Sequence, residues 1–188
     1  MKVNVTKSYL DLARGIINTT VHGNLEEEIG EDAIFSLMSC TYIYSFMALT
    51  SFCSSHLHSM WRLPESDLKL KYSQCSNFEQ LMTGPLRELK KAIKELAIQL
   101  NISPLHEAKP AEWRKLNELI KGYRDYFIHP NPDDFSEHLN ETGNLPWNFA
   151  SEVAEEIIEY FFTAAEAEIP TWVRTSGLKC RGFEVVSI

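Results

Sequence analysis

Several common signatures are missing from this chain, and each absence excludes something. Eight glycines in 188 residues form no Walker-type loop, no Gly-x-Gly-x-x-Gly turn and no Gly-x-Ser-x-Gly elbow, which removes the usual nucleotide-binding and hydrolase readings. The four cysteines, at 40, 53, 75 and 180, include no closely spaced pair, and they are too few and too scattered for a disulfide scaffold. Reduced thiols in a cytoplasmic protein are the expectation. Positive charge is short, with 18 Lys and Arg against 26 Asp and Glu, a formal charge of -8. That balance argues against a protein that coats duplex DNA by counterion release, so any nucleic-acid contact must be local. Residues 1–10 alternate polar and apolar side chains and lack the continuous apolar core of a secretory leader. Metal-ligand patterns are also wanting. His56 and His58 point roughly 200° apart on a helix. The one-turn pairs Glu152/Glu156 and Glu155/Glu159 have no Glu-x-x-His partner for a di-iron site and read as a solvated acidic face. No cofactor and no metal are implied.

What is present is helical periodicity in a chain that is 44% hydrophobic and 23% charged, the balance of a soluble globular protein of one domain, residues 1–188. Tyr9, Leu12, Ala13, Ile16 and Ile17 recur on one helix face until Gly23 stops the pattern. From Ala33 to Ser55 no residue is charged. The stretch is long enough to cross a bilayer, but its many hydroxyls and unflanked ends favour a central helix buried on most sides, with no membrane span. Trp61 to Ser76 reads as a connector, and Asn77 as the cap of the next helix. Leu86, Leu89, Ile93, Leu96 and Leu100 line one seam. A helix opening at Pro110 carries Trp113, Leu116, Leu119, Ile120, Tyr123 and Phe127 inward and stops near His129. There Pro130 and Pro132 disfavour helical backbone in the residues before them. Residues 130–146 read as loop. A last helix spans roughly Trp147 to Glu168, closed by Pro170. Phe183 to Ile188 is a short extended tail. The fold class is therefore all-α, an up-and-down helical bundle with a C-terminal extension over 170–188.

Charge is uneven along these elements. Residues 85–124 hold nine Lys or Arg against five Glu, whereas 130–169 hold ten acidic residues and no Lys or Arg. A phosphate-bearing ligand would find a positive field on the middle helices, although Arg87, Lys90, Lys91 and Lys94 also fit a plain solvated face. Within this region Asp125 and His129 are one turn apart, so the carboxylate can hold one imidazole tautomer and favour its charged form. Arg124 lies roughly 140° from His129, beside the stripe of Arg114 and Lys121. A cation and a titratable ring thus stand side by side where the helix breaks.

The run Tyr123-Arg124-Asp125-Tyr126-Phe127-Ile128-His129-Pro130 resembles the signature of the HEPN domains (higher eukaryotes and prokaryotes nucleotide-binding): Arg, a polar residue, a short spacer, then His. The resemblance covers residues 77–168 as a HEPN-like core and implies an all-helical bundle. It implies a metal-independent endoribonuclease of the kind found in toxin-antitoxin, antiphage-defence and RNA-processing systems, dimerised so that both copies of the motif line one cleft. Arg124 and His129 would then be catalytic and Asp125 would orient them, with Arg114, Lys121 and Asn131 meeting RNA phosphates. RNA or a nucleotide, a second copy of the chain and an antitoxin protein are the implied partners.

Cleavage of RNA by its own 2′-hydroxyl needs a proton acceptor, a proton donor and charge neutralisation at phosphorus. Histidine titrates in the right range, and arginine presents a permanent planar fork of donors. One His per chain does not easily act as acid and base together, which makes a symmetric dimer attractive. Two other readings of the motif stay open, and a helical membrane-associated protein built around Ala33 to Ser55 is a third class. The same bundle can be a non-catalytic nucleotide-binding or protein-interaction module. His129 can simply cap a helix C-terminus while Arg124 pairs with a surface carboxylate.

Overall fold

A helix without charge over two-thirds of its length can only be stable in water if other helices cover it, and that helix organises the molecule. The computed structural model describes residues 4–22, 31–123 and 148–174, which form nine helices and no strand among the described residues. The elements are α1 (Val5–His22), α2 (Glu31–Trp61), α3 (Asp67–Lys71), α4 (Phe78–Thr83), α5 (Leu89–Gln99), α6 (Leu105–Ala108), α7 (Pro110–Tyr123), α8 (Phe149–Ala164) and α9 (Thr171–Arg174). Of these, α1, α5, α7 and α8 pack around α2. The all-α bundle expected from periodicity is the fold. No helix among the described residues is long and apolar enough to cross a membrane.

Cross-helix contacts fix the directions. Thr6 bonds to Ser51 and Tyr9 stacks on Tyr44, so α1 runs antiparallel to α2. Tyr42 meets Phe149 and Phe52 meets Phe161, so α8 runs parallel to α2. Lys115 bonds to Glu156, and Lys109 and Glu112 face Glu159 and Thr163, so α7 is antiparallel to α8. The core is drawn from all of them: Leu10, Leu49, Leu57, Ile93, Leu96, Leu116, Leu119 and Ile157 are fully buried, each contributing about 1.5–3 kcal/mol. Half of the hydroxyls that kept α2 from reading as a lipid-facing span are inside, whereas Ser36 and Thr50 are exposed. Ser39, Thr41 and Ser45 are buried, and the Ser39 and Ser45 hydroxyl oxygens have no hydrogen-bond partner among the described residues. Thr50 and Ser59 donate instead to carbonyls one turn back, Phe46 at 2.9 Å and Ser55 at 3.0 Å.

Several elements depart from the periodicity reading. On α1 the inward residues are Leu10, Ala13 and the charged Arg14, while Leu12 is 47% exposed. The connector from Trp61 to Ser76 contains α3, whose N-cap Ser66 accepts from the Lys69 amide at 3.4 Å. Asn77 does cap α4, accepting from Gln80 N at 2.8 Å. At the end of α4 a Cβ on Gly84 would lie 2.8 Å from the Gln80 carbonyl oxygen, which is why glycine stands there.

Along the leucine seam, Leu86, Leu89, Ile93 and Leu96 are buried and Leu100 half-buried, with α5 itself starting at Leu89. Helix α8 ends at Ala164, short of Glu168, because the chain turns through a left-handed Glu166 (φ 53°), with Ala167 N bonding to Phe162 O at 2.9 Å. The same 6→1 closure ends α5, at Asn101 (φ 53°) and Ile102 N to Ala97 O at 3.0 Å. Pro170 is therefore not the stop of α8. It precedes α9, a single helical turn that opens the C-terminal extension.

Candidate functional site

Helix α7 supplies the near side of the candidate site. Its Leu116 and Leu119 are fully buried and Trp113 and Ile120 half-buried, as the periodicity requires. The opposite face is wet: Arg114 and Lys121 are both exposed, seven residues apart and so nearly eclipsed along the helix. Glu118, also exposed, projects between them. The expected cationic stripe is thus two cations with a carboxylate between. Arg124, Asp125, His129 and Asn131 lie outside the described residues, as do the expected loop over 130–146, the Tyr123 side chain and Phe127. The last described residue of α7, Tyr123, is the one before Arg124.

The third basic residue of this helix is committed elsewhere. Lys115 Nζ donates to both carboxylate oxygens of Glu156 at 2.7 Å, and this bonding raises the Lys115 pKa above its ordinary value. Facing residues on α8 therefore do not form one uniform solvated acidic face. Glu156 holds Lys115, and Glu155 holds the buried Arg14 at 2.6 Å. Only Glu152, of these three, is exposed. Near the N-terminal end of α7, a cleft of about 270 Å³ is lined by Lys109, Glu112, Glu156, Glu159, Tyr160 and Thr163. Three carboxylates against one ammonium do not suit a phosphate.

Farther round the bundle, the basic residues of α5 are partly neutralised. Lys91 pairs with Glu88 at 2.6 Å, and its ammonium lowers the Glu88 pKa. Lys94 sits over the Trp113 ring, 5.4 Å from its centroid, with His106 against the same indole at 5.5 Å. On its inner side α5 buries Glu95, whose carboxylate accepts from Lys71 (2.6 Å), Tyr72 (2.8 Å) and Gln99 (2.9 Å). Periodicity missed this cluster because it places a charge at a core position.

Among the described residues no three His, Cys, Asp or Glu side chains group to hold a metal. His56 packs against Phe52 at 4.5 Å and is half-buried, which lowers its pKa, whereas His58 packs on Phe78 at 4.8 Å. Cys40, Cys53 and Cys75 are free thiols. Burial pushes the Cys53 thiol up to about 12, so it stays protonated and inert.

Comparison with family models, with curated proteins and with solved structures finds no match.

Proposed function

We propose that the protein is a metal-independent endoribonuclease of HEPN type, acting as a homodimer. RNA is cut by attack of its 2′-hydroxyl at a cleft shared by two copies of the chain. The observation that carries this reading is the sequence Arg124-Asp125, three residues, His129-Pro130, placed directly after an amphipathic helix of an all-α bundle. In this reading the Arg124 guanidinium neutralises charge on the phosphorane and His129 transfers protons. Asp125, four residues before His129 in the sequence, orients the imidazole. Arg114, Lys121 and Asn131 steer phosphates toward them. A cytoplasmic setting and an antitoxin partner, in toxin-antitoxin or antiphage defence, belong to the same proposal.

Purified protein incubated with labelled RNA in EDTA is expected to leave cyclic-phosphate ends, and His129→Ala is expected to lose the activity by about 10²-fold or more. Equal cutting by the mutant would trace the activity to a contaminant and remove the proposal.

A second reading is favoured by one observation, the carboxylate of Glu118 set between Arg114 and Lys121. It weakens that stripe as a phosphate track and suits a non-catalytic module that binds a nucleotide or a protein. Binding of RNA without cutting, lost in Arg124→Ala, would select it.

A further inference from the structure

We infer that Glu118 reads a base, and that it makes guanosine the preferred nucleotide of a single-stranded RNA lying along the outer face of α7. This rests on the RNA-binding part of the proposed function and adds to it the class of nucleotide. Arg114, Glu118 and Lys121 are all exposed and fall within an arc of about 60° on the helix. At a rise of about 1.5 Å per residue, the carboxylate stands about 6 Å along the axis from Arg114 and about 4.5 Å from Lys121. The two cations, about 10 Å apart, can hold two phosphates of one strand, and a nucleotide between those phosphates faces Glu118.

Glu118 is free to act on that nucleotide. Elsewhere in the molecule, carboxylates one turn from a lysine close onto it: Asp11 takes Lys7, and Glu88 takes Lys91 at 2.6 Å. Glu118 has a cation four residues before it and another three after, yet among the described residues it is in no ion pair with either. Lys115, the other basic residue on these turns, is held by Glu156. The carboxylate is thus open to a ligand and stands between two groups that attract phosphate.

The chemistry of the four bases selects among them. A carboxylate only accepts hydrogen bonds, and its two oxygens accept side by side. Guanine alone offers two adjacent donors, N1–H and the 2-amino group, on the Watson–Crick edge that an unpaired base presents to a protein. Cytosine and adenine set one amino group beside an acceptor nitrogen, and uracil sets its N–H between two carbonyl oxygens. Each of these brings a lone pair against Glu118. A phosphate is repelled for the same reason. The residue that weakens the stripe as a phosphate track therefore gives it a sequence preference, attractive toward one base and repulsive toward the rest.

The test uses the full chain in EDTA and labelled uridine strands about twelve nucleotides long, with G, A, C or inosine at the centre or uridine throughout. Binding is followed by fluorescence anisotropy and cutting on the same samples. The guanosine strand is expected to bind about tenfold more tightly than the A, C and all-uridine strands. Inosine, which keeps N1–H and lacks the 2-amino group, should fall between them. Glu118→Gln should weaken binding of the guanosine strand and tighten the others, because it removes the paired acceptor and the repulsion together. A carboxylate acting only as a charge would instead give equal tightening for every strand on Glu118→Gln. That result, or a wild type indifferent to the central base, overturns the inference. Circular dichroism confirms that the variant is folded. Strands cut in a His129-dependent manner without base preference leave the nuclease standing and remove only the role of Glu118. Binding of none of the strands removes both and leaves this face to a protein partner.

Discussion

Glu95 shows how one residue can contradict a pattern and still belong to the fold. Its carboxylate is 4% exposed, and burial alone would raise its pKa. The hydrogen bonds from Lys71, Gln99 and Tyr72 outweigh burial and hold the pKa below 4.5. A carboxylate with a depressed folded pKa adds stability that is present above its unfolded value and lost as pH falls through the folded one. Stability is therefore expected to drop below about pH 4.5, and Glu95→Gln should flatten that part of the profile in urea denaturation at pH 3 to 6. Wild-type and mutant profiles that stay parallel would show that Glu95 is not the titrating group. At the alkaline end the sign reverses. Tyr72 is pushed above its usual 10 by burial and by Glu95, so its contribution fades as pH rises past that value. Ser45 is the converse case, a fully buried hydroxyl with no partner among the described residues.

At the scale of elements, what could be read from the sequence followed the 3.6-residue period. Helices α5, α7 and α8 have their apolar residues on one side and were legible from Leu89 with Ile93, from Leu116 with Leu119, and from Ile157 with Phe161. Helices α3, α6 and α9 have four or five residues each, too short to show a period, and they form because neighbours hold them. Helix α1 is harder to read for a different reason: Arg14 occupies a core position, so the apolar residues alone point about a quarter of a turn away from the buried face. Of the candidate site, the sequence offered spacing alone, the interval from Arg124 through Asp125 to His129. Nothing in that interval reveals that Glu118 stands between Arg114 and Lys121, or that Lys115 is held by Glu156, because both facts depend on which face each helix turns outward.

Arg14 also explains how a four-residue helix stays in place. Its guanidinium donates to Glu155 at 2.6 Å and to the carbonyls of Trp172 and Val173 at 2.9 Å. It thereby joins α1 to α8 and supplies the donors that the C-terminal end of α9 lacks. Arg14→Met should cost about 3–5 kcal/mol in urea denaturation, since it takes the guanidinium from the half-buried Glu155 carboxylate and from two carbonyls. Glu155→Gln, which keeps an acceptor, should cost less. A loss under about 1 kcal/mol for Arg14→Met would mean that α9 docks through Val173 and Trp172 packing instead.

For the whole molecule the decisive quantity is how few cations are free to meet a phosphate chain. The formal charge is -8, and part of the positive charge is engaged: Lys115 by Glu156 and Lys91 by Glu88 on the middle helices, and Lys71 of α3 by Glu95. Arg114 and Lys121 remain on the outer face of α7, with Arg124 next along the chain. Single-stranded RNA bound in the shared cleft through about three cations per subunit, about six in the dimer, releases few counterions. The logarithm of its affinity should therefore fall with the logarithm of salt concentration at a slope near about -4. Fluorescence anisotropy of a labelled oligonucleotide between about 50 and 200 mM salt measures that slope, and Lys121→Ala should make it shallower by about 1.4. A slope steeper than about -6 would require the α5 residues Arg87, Lys90 and Lys94 as well, and would move the RNA path from the end of α7 to the flank of the bundle.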